Sequence, residues 1–298
     1  MNILPREHQI AAISALTEGC SIRSTERLTS IHRDTIMRLG VRVGEGCRRL
    51  HDAMFRNLHV DLIEVDEIWS YVGKKQKRLT TADGEDKGDQ YIFTALDAIS
   101  KAILSYEVGK RTMETTQTFI YDLRHRITNV PQISTDAFPA YEQAIEYAFG
   151  DDCHYGQIVK KYVGEPPVNA ARRYSPGVVV GVSKRRVRGF PVGMNVSTSY
   201  VERSNLTMRM QSRRLTRLTN GFSKKLENHK AAIALFVAHY NFCRVHESLR
   251  VTPAMQLGVT DHIWTIGELV DAAVNGELPN TPPSRQVGGF WVIDGGLS

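Results

Sequence analysis

Apolar side chains in the opening part of the chain recur at helical spacing: Ile10, Ile13 and Leu16, then Leu28 and Ile31, then Ile36, Leu39 and Val43. The pattern predicts an all-helical N-terminal domain over residues 1–58. Inside it a polar break from Ser30 to Arg33 separates a short helix from a second one starting at Asp34 or Thr35. That is the outline of a helix-turn-helix whose second helix would bring Arg33 and Arg38 to a DNA groove, although a plain three-helix packing unit has the same outline.

From Asp61 the period changes. "DLIEVDEIWSYVG" alternates apolar and polar residues, "KKQKRLTTADGEDKGDQ" is a polar loop, and "YIFTALDAI" and "KAILSYEVG" follow as two strands turning near Ser100. This predicts a three-stranded antiparallel meander. "TMETTQTFIYDLRHRI" then reads as a helix, "VPQISTDAF" as a short strand ending in an aspartate, and "PAYEQAIEYAFG" as a helix opened by Pro139. The sum is a mixed α/β sheet flanked by helices. Residues 151–199, rich in Gly, Pro and Arg, read as an extended excursion with some β pairing. A helix from about Ser199 to Leu218 and a strongly apolar one, "ENHKAAIALFVAHYNFCRVH", come next, and the second should lie under the sheet. Past Ala273 the chain is polar and proline-bearing, a loose tail containing "FWVID", and no internal repeat is present.

Composition narrows the function classes. The 298 residues can build one sizeable core with smaller appendages, and 42% hydrophobic with 23% charged residues are those of an ordinary globular protein, so disorder is not the default. Lys plus Arg number 38 against 32 acids, giving +6 and a pI near 9.1, which suits a polyanionic partner. Cys20, Cys47, Cys153 and Cys243 form no C-x-x-C pair, so free thiols in a reducing compartment are expected rather than a zinc site. There is no apolar run of about 18 residues and no signal-like start, so the expectation is a cytoplasmic protein without a membrane partner.

Three carboxylates carry candidate chemistry. Asp66 in "IEVDEIW" and Asp136 in "ISTDAF" each follow an apolar strand directly, and Glu202 stands at the head of a basic helix. Gathered at one spot they would repel by roughly 4 kcal/mol per close pair. Hard divalent cations would offset that, and two of them can activate a water or a 3′-hydroxyl and stabilise the leaving oxygen of a phosphodiester. Each acid also has an ordinary reading, as turn former, cap or helix-dipole partner. Glu64, Glu67 and Asp97 compete for the same role.

With these segments in order, "VDEIWSYVGKK", "ISTDAFPAYEQAI" and "TSYVERSNLTMRMQSRRLTRLTNGFSKKLENHKAAIALFVAHYNFCRVHESLRVTPAM", the chain resembles insertion-sequence transposases of the Asp-Asp-Glu superfamily, most closely the group named after insertion sequence one. The resemblance implies an RNase H-like catalytic core over 59–258, with an insertion at about 151–199, a helix-turn-helix for terminal inverted repeats before it, and a C-terminal helix and tail over 259–298. It implies that Asp66, Asp136 and Glu202 are catalytic and hold two Mg²⁺ ions, with Mn²⁺ as a substitute. It also implies that Arg203 and Asn205 contact DNA and that His246 supports the site. The stretch between Asp136 and Glu202 is longer than usual for the superfamily, and no cysteine-rich zinc element precedes the helices.

Eight basic residues crowd the region from Arg203 to Lys230: Arg203, Arg209, Arg213, Arg214, Arg217, Lys224, Lys225 and Lys230. An acidic metal site repels DNA unless nearby cations hold the phosphates, so site and basic rim belong together. A solvated charged face would have the same composition. The expected partners are double-stranded DNA, as terminal repeats and as target, and further copies of the chain in a dimer or higher assembly on DNA. The alternatives are a structure-specific nuclease of the same fold, or a non-enzymatic helix-turn-helix regulator with an inactive core.

Overall fold

A computed structural model describes residues 4–163, 178–216 and 219–276. The expected tail from Glu277 onward, with "FWVID", and Arg217 lie outside the described residues.

Three helices open the chain: α1 (Arg6–Thr17), α2 (Ile22–Thr29) and α3 (Arg33–Met54). Ser21 caps α2 by accepting from the Ser24 N–H, and α2 stops at Ser30, which takes the left-handed conformation at φ 58°. Just beyond it His32 caps α3 through Nδ1. The break falls where the sequence put it, but α3 runs for 22 residues and does not end within a separate bundle. Its buried residues Ile36, Val43 and Cys47 belong to one apolar cluster with Val65, Phe119 and Trp264. These helices therefore share an apolar cluster with the sheet.

Two glycines of α3 permit this. A Cβ on Gly44 would lie 2.2 Å from the carbonyl oxygen of Ala231 in α7 (Leu226–Ala238), and one on Gly46 would lie 1.9 Å from that of Ala273 in α9 (Ile266–Asn275). The far end of α3 is fastened as well. Buried Arg126 donates to Asp52, Asp122 and the Phe55 carbonyl at 2.7–3.0 Å. Burial holds His51 neutral, its pKa lowered to about 3, and its Nε2 lies 3.0 Å from the Ile103 carbonyl.

The sheet has six strands: β1 (Leu62–Val72), β2 (Gly88–Asp97), β3 (Ile103–Gly109), β4 (Gln132–Asp136), β5 (His154–Val163) and β6 (Val178–Arg188), in the order β3-β2-β1-β4-β5-β6. β1, β2 and β3 form the expected antiparallel meander, and β1, β4 and β5 run parallel. Asp97 closes the β2–β3 turn by accepting from the Ile99 and Ser100 N–H groups, which accounts for that rival acid. Residues 151–199, expected as an insertion, contribute β5 as a full member of the sheet. β6 pairs antiparallel with β5 as the new edge.

Helices α4 (Met113–Arg124) and α5 (Pro139–Phe149) cover one face, with Phe119, Ile120, Tyr141 and Ile145 buried. α6 (Ser199–Gln211) and α7 cover the other, where Ile68 and Ile92 meet Val201, Met208, Ile233 and Val237. Ile92 and Phe93 thus serve opposite faces, as strand alternation requires. α6 stops earlier than the sequence suggested: Ser212 turns extended, and a 3₁₀ turn at Arg213–Leu215 follows. A short α8 (Pro253–Gln256) leads to α9, which opens with a capping box between Thr265 and Glu268.

Candidate active site

Parallel pairing of β1 with β4 sets the first part of the site. Leu62 pairs with Gln132, Ile63 with Ile133 and Glu64 with Ser134; carried two residues further, this register brings Asp66 beside Asp136. The ladder stops before that point: β4 ends at Asp136 while β1 runs on to Val72, so Asp66 stands mid-strand beside the carboxyl end of β4. Carboxylate oxygens of Asp66, Glu67 and Asp136 lie within 4.8 Å of one another.

Electrostatics mark the cluster. Burial, together with the charges of Glu67 and Asp136, pushes the Asp66 carboxyl up to about 7, and Glu202 adds to the effect. Burial and Asp136 raise Glu67, opposed by the Tyr141 hydroxyl at 2.8 Å and the Arg111 guanidinium at 2.7 Å. Arg111 in turn lies over the Phe138 ring. The donors are all carboxylate oxygens, a set that suits Mg²⁺ or Mn²⁺ and not a soft metal.

The second part of the site is the anchoring of α6 on β1. Glu64 is buried in the strand, and its Oε2 accepts from the Tyr200 and Val201 N–H groups at 2.7 and 3.0 Å. A carboxylate against the first turn of a helix compensates its positive end and satisfies donors that have no intrahelical partner. One turn on, Asn205 Nδ2 donates to Asp66 Oδ2 at 2.8 Å. Glu64 thus leaves the set of rival ligands and becomes the peg that orients the helix. A carboxylate between buried Ile63 and Val65 needs a partner inside the fold, and that was its signal in the sequence.

Glu202 occupies the first turn of α6, on the side that raises Asp66. Its carboxylate is not in the tight cluster with Asp66 and Asp136, where Glu67 stands instead. Its Oε1 accepts from Lys160 Nζ of β5 at 2.6 Å and from the Thr198 hydroxyl at 3.0 Å.

The expected DNA contacts divide. Arg33, Arg38, Arg203, Arg213, Lys224 and Lys225 are exposed, and Lys225 lies 3.5 Å from Glu227. Arg209 is half-buried on α6. Arg214 turns inward, with Nη1 donating to Ser223. Asn205, expected to touch DNA, is 3% exposed and engaged with Asp66, so its place is inside the site. His246 meets Ser248 in the loop after α7, and none of its hydrogen bonds reaches the acids. A groove of about 840 Å³ separates α2 and α3 from the segment after α6, with Arg23, Arg33, Arg213, Arg214, Lys224 and Phe222 among its lining residues. Among the described residues no helix is long and apolar enough to cross a membrane.

The raised Asp66 predicts a pH signature. Between the ordinary aspartate range and about 7 the folded chain keeps a proton that the unfolded chain releases, so this group lowers stability as pH rises through that window. Buried His51, His229 and His239, lowered to about 3, 4 and 4, act in the opposite sense below their ordinary range. The comparison with Asp66→Asn isolates the aspartate. In chelator the variant should be more stable than the parent by roughly 1–3 kcal/mol at pH 8, and the two should converge near pH 4. Urea unfolding across that range measures the gap.

Residues 60–162 match the family model described as IS1 transposase, a stretch that carries Asp66 and Asp136 and ends before Glu202. The chain is similar to the Insertion element IS1 2 protein InsB of Escherichia coli (strain K12), with 26% identity over 179 residues, covering 59% of this chain and 75% of that protein. It is similar also to the Insertion element IS1 protein InsB of Shigella flexneri, with 25% identity over 179 residues, 59% of this chain and 95% of that protein. Among solved structures, a piggyBac transposase synaptic complex with hairpin DNA aligns over 94% of this chain and 77% of its own, at 10% identity and a TM-score of 0.36, too slight a likeness to carry an argument.

Proposed function

We propose that this chain, similar to IS1 transposases where its two aspartates lie, is a DNA transposase with an RNase H-like core. It would bind terminal inverted repeats and catalyse metal-dependent cleavage of 3′ ends and their transfer to target DNA. The observation that carries the proposal is the meeting of Asp66, in the middle of β1, with Asp136 at the end of β4, beside a helix pegged to β1 by Glu64.

In this reading Asp66, Asp136 and Glu202 hold two divalent cations, with Glu67 close enough to assist. Such cations, when bound, activate the attacking oxygen and stabilise the leaving one. The chain's own residues do the positioning. Asn205 fixes the orientation of Asp66, Glu64 fixes the pitch of α6, and the tether of Tyr141 and Arg111 on Glu67 keeps that acid from swinging into solvent. Exposed Arg203, Arg213, Lys224 and Lys225 are placed to neutralise backbone phosphates that the carboxylates would otherwise repel. The three-residue turn between α2 and α3, with Arg33 and Arg38 exposed beyond it, supports a helix-turn-helix as reader of the repeats. Two ends must be held together for transfer, so a dimer or larger assembly on DNA is part of the proposal.

The test is incubation with Mg²⁺ and a labelled duplex that ends in the element's own inverted repeats, with a plasmid as target. The expected result is a nick at the 3′ end followed by covalently joined product. Cleavage of branched duplexes with no joining would mark a structure-specific nuclease instead. Repeat binding with no metal-dependent cutting would mark a regulator.

A further inference from the structure

We propose that Lys160 is a positioning residue for the third acid: it holds Glu202 in the absence of metal, yields that carboxylate when a divalent cation enters, and then turns its ammonium to a DNA phosphate. The inference rests on the reading of Glu202 as a metal ligand.

Lys160 lies on β5, two residues past Ile158, which pairs with Asp136. Its Nζ is 2.6 Å from Glu202 Oε1, the oxygen that the Thr198 hydroxyl also donates to. The pair is partly open to water, with side-chain exposures of 31% and 45%, so it can exchange partners without a buried charge being stranded. The other cation seen on the acids, Arg111, is fixed differently: it is bonded to Glu67 and stacked at 3.9 Å on Phe138. A planar guanidinium held on two sides is a permanent brace. A compact ammonium on a four-carbon stem is a movable one.

The crowding of the acids favours the exchange. Asp66, Glu67 and Asp136 already crowd within 4.8 Å, while Glu202 stands outside that group with one oxygen committed to an ammonium. For Glu202 to offer both oxygens to a cation shared with Asp66, the Lys160 contact must break. The released ammonium, carried on the strand that pairs with β4 at Asp136, would then be able to turn to a scissile phosphate in the proposed reaction. One cation would then serve the empty site and the loaded one in turn. It would suppress acid repulsion before metal arrives, and it would add to the phosphate clamp afterwards.

Two opposed effects follow from removing it. Mn²⁺ titration followed by electron paramagnetic resonance, without DNA, should give about two- to fivefold tighter binding in Lys160→Ala, because the metal no longer competes with an ion pair. At saturating Mg²⁺ the same variant should cleave about a hundredfold more slowly. The salt dependence of duplex binding, read in Ca²⁺, should lose about one phosphate contact relative to the parent, and should be unchanged in chelator. Lys160→Arg should restore the salt slope and part of the rate. A residue that only props up Glu202 would show weaker Mn²⁺ binding on removal and an unchanged salt slope, and either result overturns the proposal, as does an unaltered Mn²⁺ affinity. Glu202→Gln separates the two readings: if it leaves Mn²⁺ affinity intact, the third-acid assignment fails and the Lys160 role with it. If only Lys160→Ala behaves as the parent, the transposase reading stands without it.

Discussion

Asp66→Asn is expected to reduce Mg²⁺-dependent cleavage and strand transfer by about a thousandfold or more while leaving binding to terminal repeats intact. Asparagine has the shape of aspartate, and its amide oxygen can still accept from Asn205 Nδ2, so α6 keeps its contact with β1. What changes is charge at the centre of the cluster. A neutral amide cannot balance a divalent cation as a carboxylate does, and a loss of about 4 kcal/mol in transition-state stabilisation corresponds to that factor. DNA affinity in chelator should hold or tighten slightly, because one negative charge has left a site that faces phosphates in the proposed reading. Gel-based cleavage and joining assays beside a binding isotherm resolve the two quantities. Activity within tenfold of the parent would contradict the metal assignment, whatever Glu67 or Glu202 variants do.

The largest stability effect is expected at a residue with no chemistry. Gly46→Ala should destabilise the protein by about 2–3 kcal/mol, and Gly44→Ala by a similar amount. Intrinsic propensity argues the other way, since alanine favours a helix interior over glycine by about 1 kcal/mol. Contact distances decide the sign: the added methyl would stand 1.9 Å or 2.2 Å from a backbone carbonyl of α9 or α7, and a helix backbone cannot step aside as a flexible side chain can. α3 would have to lift off α9 in the first variant and off α7 in the second. Gly40 supplies the control on the same helix, because its added methyl would meet only Leu16 Cδ1 at an ordinary 3.5 Å. Gly40→Ala should therefore raise stability by about 0.5–1 kcal/mol, and urea melts of the three variants should straddle the parent.

Local patterning carried much of this architecture. Alternation marked β1, β2 and β3, Pro139 marked the start of α5, and the polar break at Ser30 marked the end of α2. Both aspartates could be placed on strands by the same means, although Asp66 proved to lie mid-strand and only Asp136 ends its strand. The parallel register that brings Asp66 beside Asp136 could not, because no turn joins the two strands and no periodicity records which neighbour a strand selects. For the same reason the β pairing expected within residues 151–199 carried no sign that β5 would join β4, and Asn205 resembled a surface contact rather than a partner for Asp66. Glu64 and Glu67 flank Asp66 in the sequence and had seemed equivalent rivals. In the fold one pegs a helix and the other joins the cluster, since the first has a helix end above it and the second a tyrosine and an arginine. Gly44 and Gly46 read as weak points in a helix, and only the positions of Ala231 and Ala273 turn them into requirements.

α3 is about 33 Å long at 1.5 Å per residue, with Arg33 and Arg38 exposed near one end and Gly44, Gly46 and His51 locked into the common core towards the other. A rod seated in this way works as a caliper. If its outer end grips the repeat, the span from the gripped base pairs to the severed bond is measured by protein, with no slack tether to take up error. About five base pairs inserted between the two, half a helical turn, would swing the target phosphate to the far side of the duplex, beyond the reach of the jaws.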